Sequence, residues 1–271
     1  MSMGSEGPVS GVPPTAGRPD VLRHQLLDSF IDAYTVPTLL DDIEAAALTG
    51  RPWLIANHNV NSLTLMQRDP TFRAFFNRAD RIFLDGVGAL VLAKVTGARL
   101  RQEHRVAVLD WIWPLCARAE ARGWSLVHLG GTGEGLVRAR QAILDRHPRL
   151  HLTTVDGFFD VRDDQQVADV LTEISLARPT IVLVGMGMPR QELWLDRHLA
   201  DLPPSVVITV GGILSFLGGE RPTPPRWLGR LGVEWLYRLV TEPRRLWRRY
   251  LLEPVHLLPV VAREVRKRVR G

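Results

Sequence analysis

Short apolar runs that alternate with helix-length amphipathic segments predict an α/β protein with a mostly parallel sheet and helices on both faces. Several of the runs are apolar at successive positions, as strands covered on both faces are. Four of them also end in glycine-bearing turns that lead into helices.

Along the chain, residues 22–45 read as one helix packed on a side of the sheet. The first strand is expected over 53–56 and a helix over 62–78. A second strand at 81–84 leads into a helix at 86–97, and a further amphipathic helix fills 107–122. Strand 125–129 precedes helix 133–147, and strand 150–155 precedes helix 163–177. Strand 180–184 precedes helix 190–201, whose first turn holds Pro189 and Glu192, residues that helix starts favour. The last strand is expected over 206–210. No internal repeat is present.

Charge divides the 271 residues unevenly. Residues 221–271 hold 13 Lys+Arg against 4 Asp+Glu, a net of +9, while the remainder hold 21 against 25, a net of −4. Three parts follow: a disordered Gly/Pro/Ser-rich arm over residues 1–19, an α/β domain over 20–220, and a basic amphipathic appendage over 221–271. The arm lacks the apolar core of a signal peptide, and no apolar stretch reaches the roughly 18 residues of a membrane span. A cytoplasmic protein is the expectation. Its single cysteine, Cys116, excludes a disulfide framework and a thiolate zinc cluster.

The turns after the strands carry the chemistry. They read Asp85-Gly86-Val87-Gly88, Gly130-Gly131-Thr132-Gly133, Gly185-Met186-Gly187-Met188-Pro189 and Gly211-Gly212. Open α/β sheets bind ligands beyond the carboxyl ends of their strands. Four glycine turns there let backbone N–H groups approach a phosphate, so a nucleotide or nucleotide-sugar is expected. A dinucleotide fingerprint fails, because Leu136 stands where G-x-G-x-x-G from Gly131 needs its last glycine. Neither lysine sits in a P-loop, and no G-x-S-x-G or H-E-x-x-H occurs.

Asp85 closes an apolar strand at that edge. Its position suits a general base that takes a proton from an attacking hydroxyl, and equally an N-cap of the helix that begins near Val87. Asn57-His58-Asn59 follows the first strand; its amides suit a sugar or ribose, or simply a turn. With no partner ligands at metal spacing, His58 reads as a solvent-facing turn histidine. Arg190 and Gln191 open a helix beside the expected phosphate pocket.

These motifs, with Gly185-Met-Gly-Met-Pro-Arg-Gln-Glu, Gly232-Val-Glu-Trp-Leu-Tyr-Arg-Leu and Glu242-Pro-Arg-Arg-Leu-Trp-Arg-Arg-Tyr, resemble one family. It is the WecG/TagA/CpsF family of bacterial glycosyltransferases (glycosyltransferase family 26), and the resemblance runs from about Val36 to Leu252. It implies a Rossmann-like fold with a C-terminal helical appendage and no catalytic metal or cofactor. The implied reaction moves a sugar, N-acetylmannosamine or glucose in type, from a UDP-sugar to a polyprenyl-diphosphate-linked sugar. The implied place is the inner face of the cytoplasmic membrane. Members are often oligomeric in solution, so a homo-oligomer is a further expectation.

Carried over, Asp85 matches the family's base and Asn59 the Asn of its first active-site turn. Gln191 matches the glutamine of its P-[KR]-Q-E motif. Arg238, Arg245 and Arg248 match appendage arginines expected to close over the diphosphate. Arg105, in Arg105-Val-Ala-Val-Leu-Asp110, fits R-V-x-G-x-D except that Val108 replaces the glycine, and Asn57 stands where many members carry threonine. Both departures lie near where the sugars would sit and bear on sugar identity. The expected binding set for UDP-sugar and diphosphate is Asn57, Gly130, Gly131, Gly185, Gly187, Arg190, Gly211, Gly212 and the three appendage arginines.

The leaving UDP gains negative charge that Arg105, the appendage arginines and the N–H groups of the glycine turns are expected to meet, and Asp85, Asn59, Arg105 and Gln191 form the expected catalytic set. In the tail, Trp227, Trp235, Tyr237, Trp247 and Tyr250 interleave with arginines, ahead of Arg263, Arg266, Lys267, Arg268 and Arg270. That mixture suits the headgroup region of an anionic membrane. A nucleic-acid-binding tail on a nucleotide-binding module is the alternative, and no nucleic-acid partner is expected on the first reading. Removing residues 221–271 is expected to abolish transfer and leave the body folded.

Overall fold

The computed structural model describes residues 21–270. The arm expected over residues 1–19 lies outside them, and so do the side chains of Arg268 and Arg270. The six expected strands all form: β3 (Trp53–His58), β4 (Arg81–Leu84), β5 (Ser125–Leu129), β6 (His151–Val155), β7 (Ile181–Val184) and β8 (Val206–Thr209). They make one parallel sheet in the order β4-β3-β8-β7-β5-β6. β3, the first of these strands in sequence, therefore pairs with β8, the last.

Burial explains why successive apolar residues mark these strands. On one face Leu54, Ile82, Val127, Val182 and Val207 pack under α2 (Val60–Met66), α3 (Pro70–Asn77), α4 (Val87–Val95), α7 (Asp164–Leu176) and α8 (Arg190–His198). On the other, Trp53, Ile55, Phe83, Leu126, Leu183 and Ile208 pack under α1 (Val36–Leu48), α5 (Val108–Arg122), α6 (Gly133–Arg146) and the short α9 (Leu214–Leu217).

Two expectations change. Residues 22–45 are not one helix but an antiparallel hairpin, β1 (Arg23–Leu26) and β2 (Ser29–Asp32), followed by α1. Pro37 cannot lie mid-helix without losing a hydrogen bond; here it falls in the first turn of α1, with Thr35 as N-cap. The hairpin is tied to the sheet by Asp32, which accepts from the Ile82 N–H at 2.8 Å and from Arg23. The helix expected over 62–78 is two, because Asp69 caps a new helix that starts at Pro70.

Beyond residue 220 come α10 (Arg226–Leu231), α11 (Glu234–Thr241) and α12 (Pro243–Trp247). A π-helical turn (Arg248–Leu252) and a 3₁₀ turn (Glu253–Leu257) then lead to α13 (Leu258–Arg270). This appendage is docked rather than loose. Leu246 and Leu257 are buried, and Leu257 joins the core cluster that contains Leu63, Met66 and Leu90. Cutting at residue 220 would therefore open the core beneath α2 and α4, so the truncated body expected to stand alone loses packing of its own. No helix among the described residues is long and apolar enough to cross a membrane.

Candidate active site

The sheet's carboxyl edge gathers the expected residues from strands far apart in sequence. β3 and β4 pair in parallel with His58 opposite Leu84, and the Asp85 N–H donates to the His58 carbonyl at 2.8 Å. The turns that hold Asn59 and Asp85 are therefore neighbours. Gly88 keeps them close: a methyl group there would come within 2.6 Å of Val60 Cγ2, so α4 approaches α2 only with glycine at this point. α4 is entered through Gly86 at the N-cap position, with a φ of 93° that side chains rarely adopt. The N-cap position expected for Asp85 thus belongs to Gly86.

Asn59 caps α2, accepting from the Ser62 N–H at 3.1 Å, while its amide nitrogen faces Met188 Sδ at 3.8 Å. Asn61 reaches the same sulfur at 3.9 Å. Asn57 is buried and accepts from Thr209 Oγ1 at 2.9 Å, which joins the ends of β3 and β8.

His58 is not solvent-facing. It ends β3 fully buried, its two ring nitrogens 3.0 Å from the Ser62 and Ser29 hydroxyls and its ring stacked on Phe76. Burial penalises the charged imidazole and pushes its pKa down to about 3. Partners brought in by the hairpin and by α3 overrode the turn composition.

The glycine turns pack against one another. A side chain on Gly130 would meet the Gly185 carbonyl at 2.6 Å, and Gly157 donates to the Gly131 carbonyl at 3.0 Å. Gln191 is fully buried, and its amide oxygen accepts from both the Gly187 and Gly211 N–H groups at 3.2 Å. It fastens the turn after β7 to the turn after β8. Arg190 donates to the carbonyls of Gly157 and Phe159 and lies over the Phe159 ring, so it anchors the loop after β6.

Two ionic clusters join the appendage to this edge. Arg105 pairs beside Leu84 and is buried; its guanidinium meets Asp110 at 3.0 Å and Glu234 of α11 at 3.8 Å. Arg226 of α10 engages the same two carboxylates. Two cations and two anions leave this cluster neutral. The second cluster collects Arg221, Arg238 and Arg245 around Glu242, and is cationic. Burial alone would raise the Glu242 carboxyl, but Arg245, Arg221 and Arg238 outweigh it and hold the group below the usual range. Arg248 instead lies over the Trp247 ring.

Residues 24–271 match the profile of the Glycosyl transferase WecG/TagA/CpsF family. The chain belongs to the WecG/TagA/CpsF family. Among curated relatives, the N-acetylglucosaminyldiphosphoundecaprenol N-acetyl-beta-D-mannosaminyltransferase of Bacillus spizizenii is 28% identical over 198 residues, covering 73% of this chain and 74% of the relative. Its counterpart in Staphylococcus aureus is 28% identical over 205 residues, 71% and 78% of the two chains. As a WecG/TagA/CpsF member the chain is a glycosyltransferase with a Rossmann-like parallel sheet.

The structure thus brings together Asn57, Asn59, Asp85 and Arg105 at β3 and β4, and the glycine turns with Gln191 at β5, β7 and β8. Sequence reasoning missed Arg221, Glu242, Arg226 and Asn61. Arg221 and Arg226 were read only as tail charge. The sole signal for Asn61 was its place two residues beyond Asn59. A buried histidine on β5, His128, also escaped notice. It lies under the turns, its ring within 2.6 Å of where a side chain on Gly185 would fall, and burial pushes its pKa down to about 3. Among the described residues no group of three or more His, Cys, Asp or Glu side chains is placed to hold a metal ion.

Proposed function

We propose that this glycosyltransferase moves an N-acetylmannosamine-type sugar from a UDP-sugar to a polyprenyl-diphosphate-linked N-acetylglucosamine, with inversion and without a metal. The sugars are those in the names of the Bacillus and Staphylococcus relatives. The observation that carries the reading is the placing of Asp85 beside the Asn59 turn, on the same sheet edge that receives the appendage arginines. In the step, the acceptor hydroxyl oxygen bonds to the anomeric carbon and its proton passes to the Asp85 carboxylate. The bond from that carbon to the β-phosphate oxygen breaks, and UDP leaves with the electron pair.

Asn59, with its amide turned toward Met188, would orient the sugars. Gln191 serves as a positioning residue, since it is buried and sets the Gly187 and Gly211 N–H donors. Arg105 acts through the appendage it docks, because Asp110 and Glu234 already engage its guanidinium. The leaving charge is met, without a metal, by the guanidiniums of Arg221, Arg238 and Arg245 and the N–H groups of the glycine turns; the Nη1 of Arg221 beside Gly212 supports this.

The enzyme works as a peripheral protein on the inner, anionic face of the cytoplasmic membrane. Supporting this, Trp227, Leu231, Leu252, Val255 and Leu258 stand exposed among the appendage arginines. A homo-oligomer in bulk solution would cover the same apolar face, so vesicles are expected to dissociate it. The nucleic-acid-binding alternative gains nothing from the family match.

The test is a panel of UDP-sugars assayed for UDP release with a short-chain lipid-diphosphate-N-acetylglucosamine acceptor. Acceptor-dependent release with UDP-N-acetylmannosamine is expected. No release with any donor would overturn the proposed reaction.

A further inference from the structure

Arg221 lies at the seam between body and appendage, in Gly218-Gly219-Glu220-Arg221-Pro222. Gly219, at a φ of 71°, turns the chain back, and the Arg221 N–H donates to the Ser215 carbonyl at 2.9 Å. The segment is thereby folded along α9, and the guanidinium is returned over the turn that ends β8. Its Nη1 lies 3.5 Å from where a methyl group on Gly212 would sit. That turn is one of the four at the ligand edge, between the ends of β3 and β7.

The surroundings are short of negative charge. Arg221 Nε is 3.5 Å from one oxygen of Glu242, and Arg245 Nη2 is 2.5 Å from the other. Arg238 completes the group, sharing the Phe216 ring with Arg221 at 5.3 and 6.0 Å. Glu220, the neighbour in sequence, is engaged by Arg138. Two guanidiniums thus pair with Glu242 and the charge of a third, Arg238, also reaches it, while burial and the nearby Arg245 and Arg238 charges loosen the proton of Arg221. Arg238 Nε is buried with no hydrogen-bond partner among the described residues. Like charges gathered over a glycine turn, with a donor left unmet, cost free energy that an arriving anion returns.

An anion that suits the cluster carries two negative charges and several acceptor oxygens, and a diphosphate has both. Its phosphoryl edges match the planar fork of a guanidinium. We propose that Arg221 is a diphosphate-binding residue, closing with Arg238 and Arg245 over the Gly211-Gly212 turn, while Glu242 holds the three guanidiniums in place until the ligand arrives. The proposal rests on the diphosphate chemistry of the reaction above and adds a residue that neither the family motifs nor the tail composition pointed to. The diphosphate belongs either to the nucleotide donor or to the lipid acceptor; the chemistry of the clamp is the same.

The experiment uses the full chain. Calorimetric titration with UDP, UMP and inorganic pyrophosphate is compared between wild type and Arg221→Ala, beside the KM for each substrate. If the clamp holds the nucleotide, Arg221→Ala binds UDP about ten- to a hundredfold more weakly, as loss of a charge-assisted hydrogen bond implies, while UMP changes much less. If it holds the lipid diphosphate, UDP binding stays and the KM for the acceptor rises by a similar factor. Arg221→Lys restores only part of the loss, since an ammonium cannot fork. Should the alanine variant fail to fold, the lysine variant carries the test alone, because it keeps the charge and the stem.

Unchanged UDP affinity together with unchanged KM values would overturn the clamp and leave the proposed reaction standing. Conversely, loss of pyrophosphate affinity in Arg221→Ala, with no UDP release from any sugar donor in wild type, keeps the clamp and removes the reaction.

Discussion

Asp85 is placed by three local facts: it ends a buried strand, Gly86 takes the cap position after it, and its N–H is held by the His58 carbonyl. Replacing it with Asn keeps the shape and removes the carboxylate that the proposed reaction uses as its base. Turnover in Asp85→Asn is expected to fall at least about a hundredfold while UDP still binds; near-wild-type turnover would take Asp85 out of that role. A second prediction concerns His58 and His128, both buried with pKa values near 3 against an ordinary 6.5. Between pH 6.5 and 3 the unfolded chain binds protons that the folded chain does not, so stability is present above this window and is lost as pH falls through it. The loss from pH 7 to pH 5 is about 2 kcal/mol for each histidine. Thermal melts across that range should show the slope, and replacing both histidines by glutamine should flatten it. The place of Asp85, Asn59 and the glycine turns at one sheet edge was legible because it follows from the strand ends beside them in sequence. His58 and Arg221 were not: the partners of one are Ser29, Ser62 and Phe76, and those of the other Gly212, Phe216 and Glu242.

The central strands β7 and β8 were readable because they are buried on both faces and so almost continuously apolar, whereas β6, at the sheet edge, was readable from its spacing between two helical segments. Errors fell where periodicity competed with a breaker. Leu22, Leu26, Phe30 and Ile31 fit a helical stripe, yet Pro37 and the cross-strand pairing of Arg23 with Asp32 favour a hairpin. Asp69-Pro70 likewise outweighs the apolar pattern that runs through it. The docking of the appendage was invisible in composition, since Leu257 looks like any other tail residue. Its burial makes a prediction for the element: Leu257→Ala should cost about 2–5 kcal/mol, read as a lower denaturant midpoint for the whole chain. A midpoint equal to wild type would mean that the 3₁₀ turn over Glu253–Leu257 leaves the core in solution.

For the whole molecule, the net +9 of residues 221–271 divides between tasks. Arg226 is spent on a neutral docking cluster, while Arg221, beside the Gly212 turn, gathers with Arg238 and Arg245 near Glu242. Arg263, Arg266 and Lys267 remain on the exposed side of α13. Each basic residue near an anionic surface contributes about 1 kcal/mol at low salt. Reversing these three to glutamate should abolish flotation with phosphatidylserine vesicles and leave UDP binding intact. Retention on single-stranded DNA without flotation of the wild type would instead favour the nucleic-acid-binding tail. The strand order has a consequence for how the enzyme comes into being. Because β8 lies between β3 and β7, a growing chain holds only two separate half-sheets until residues 206–209 have been made. At roughly 5–20 residues per second that interval lasts on the order of ten to thirty seconds after β3 is complete. Throughout it the growing chain lacks both the Gly211-Gly212 turn and the whole basic appendage, which are made only after the strand that joins the two halves.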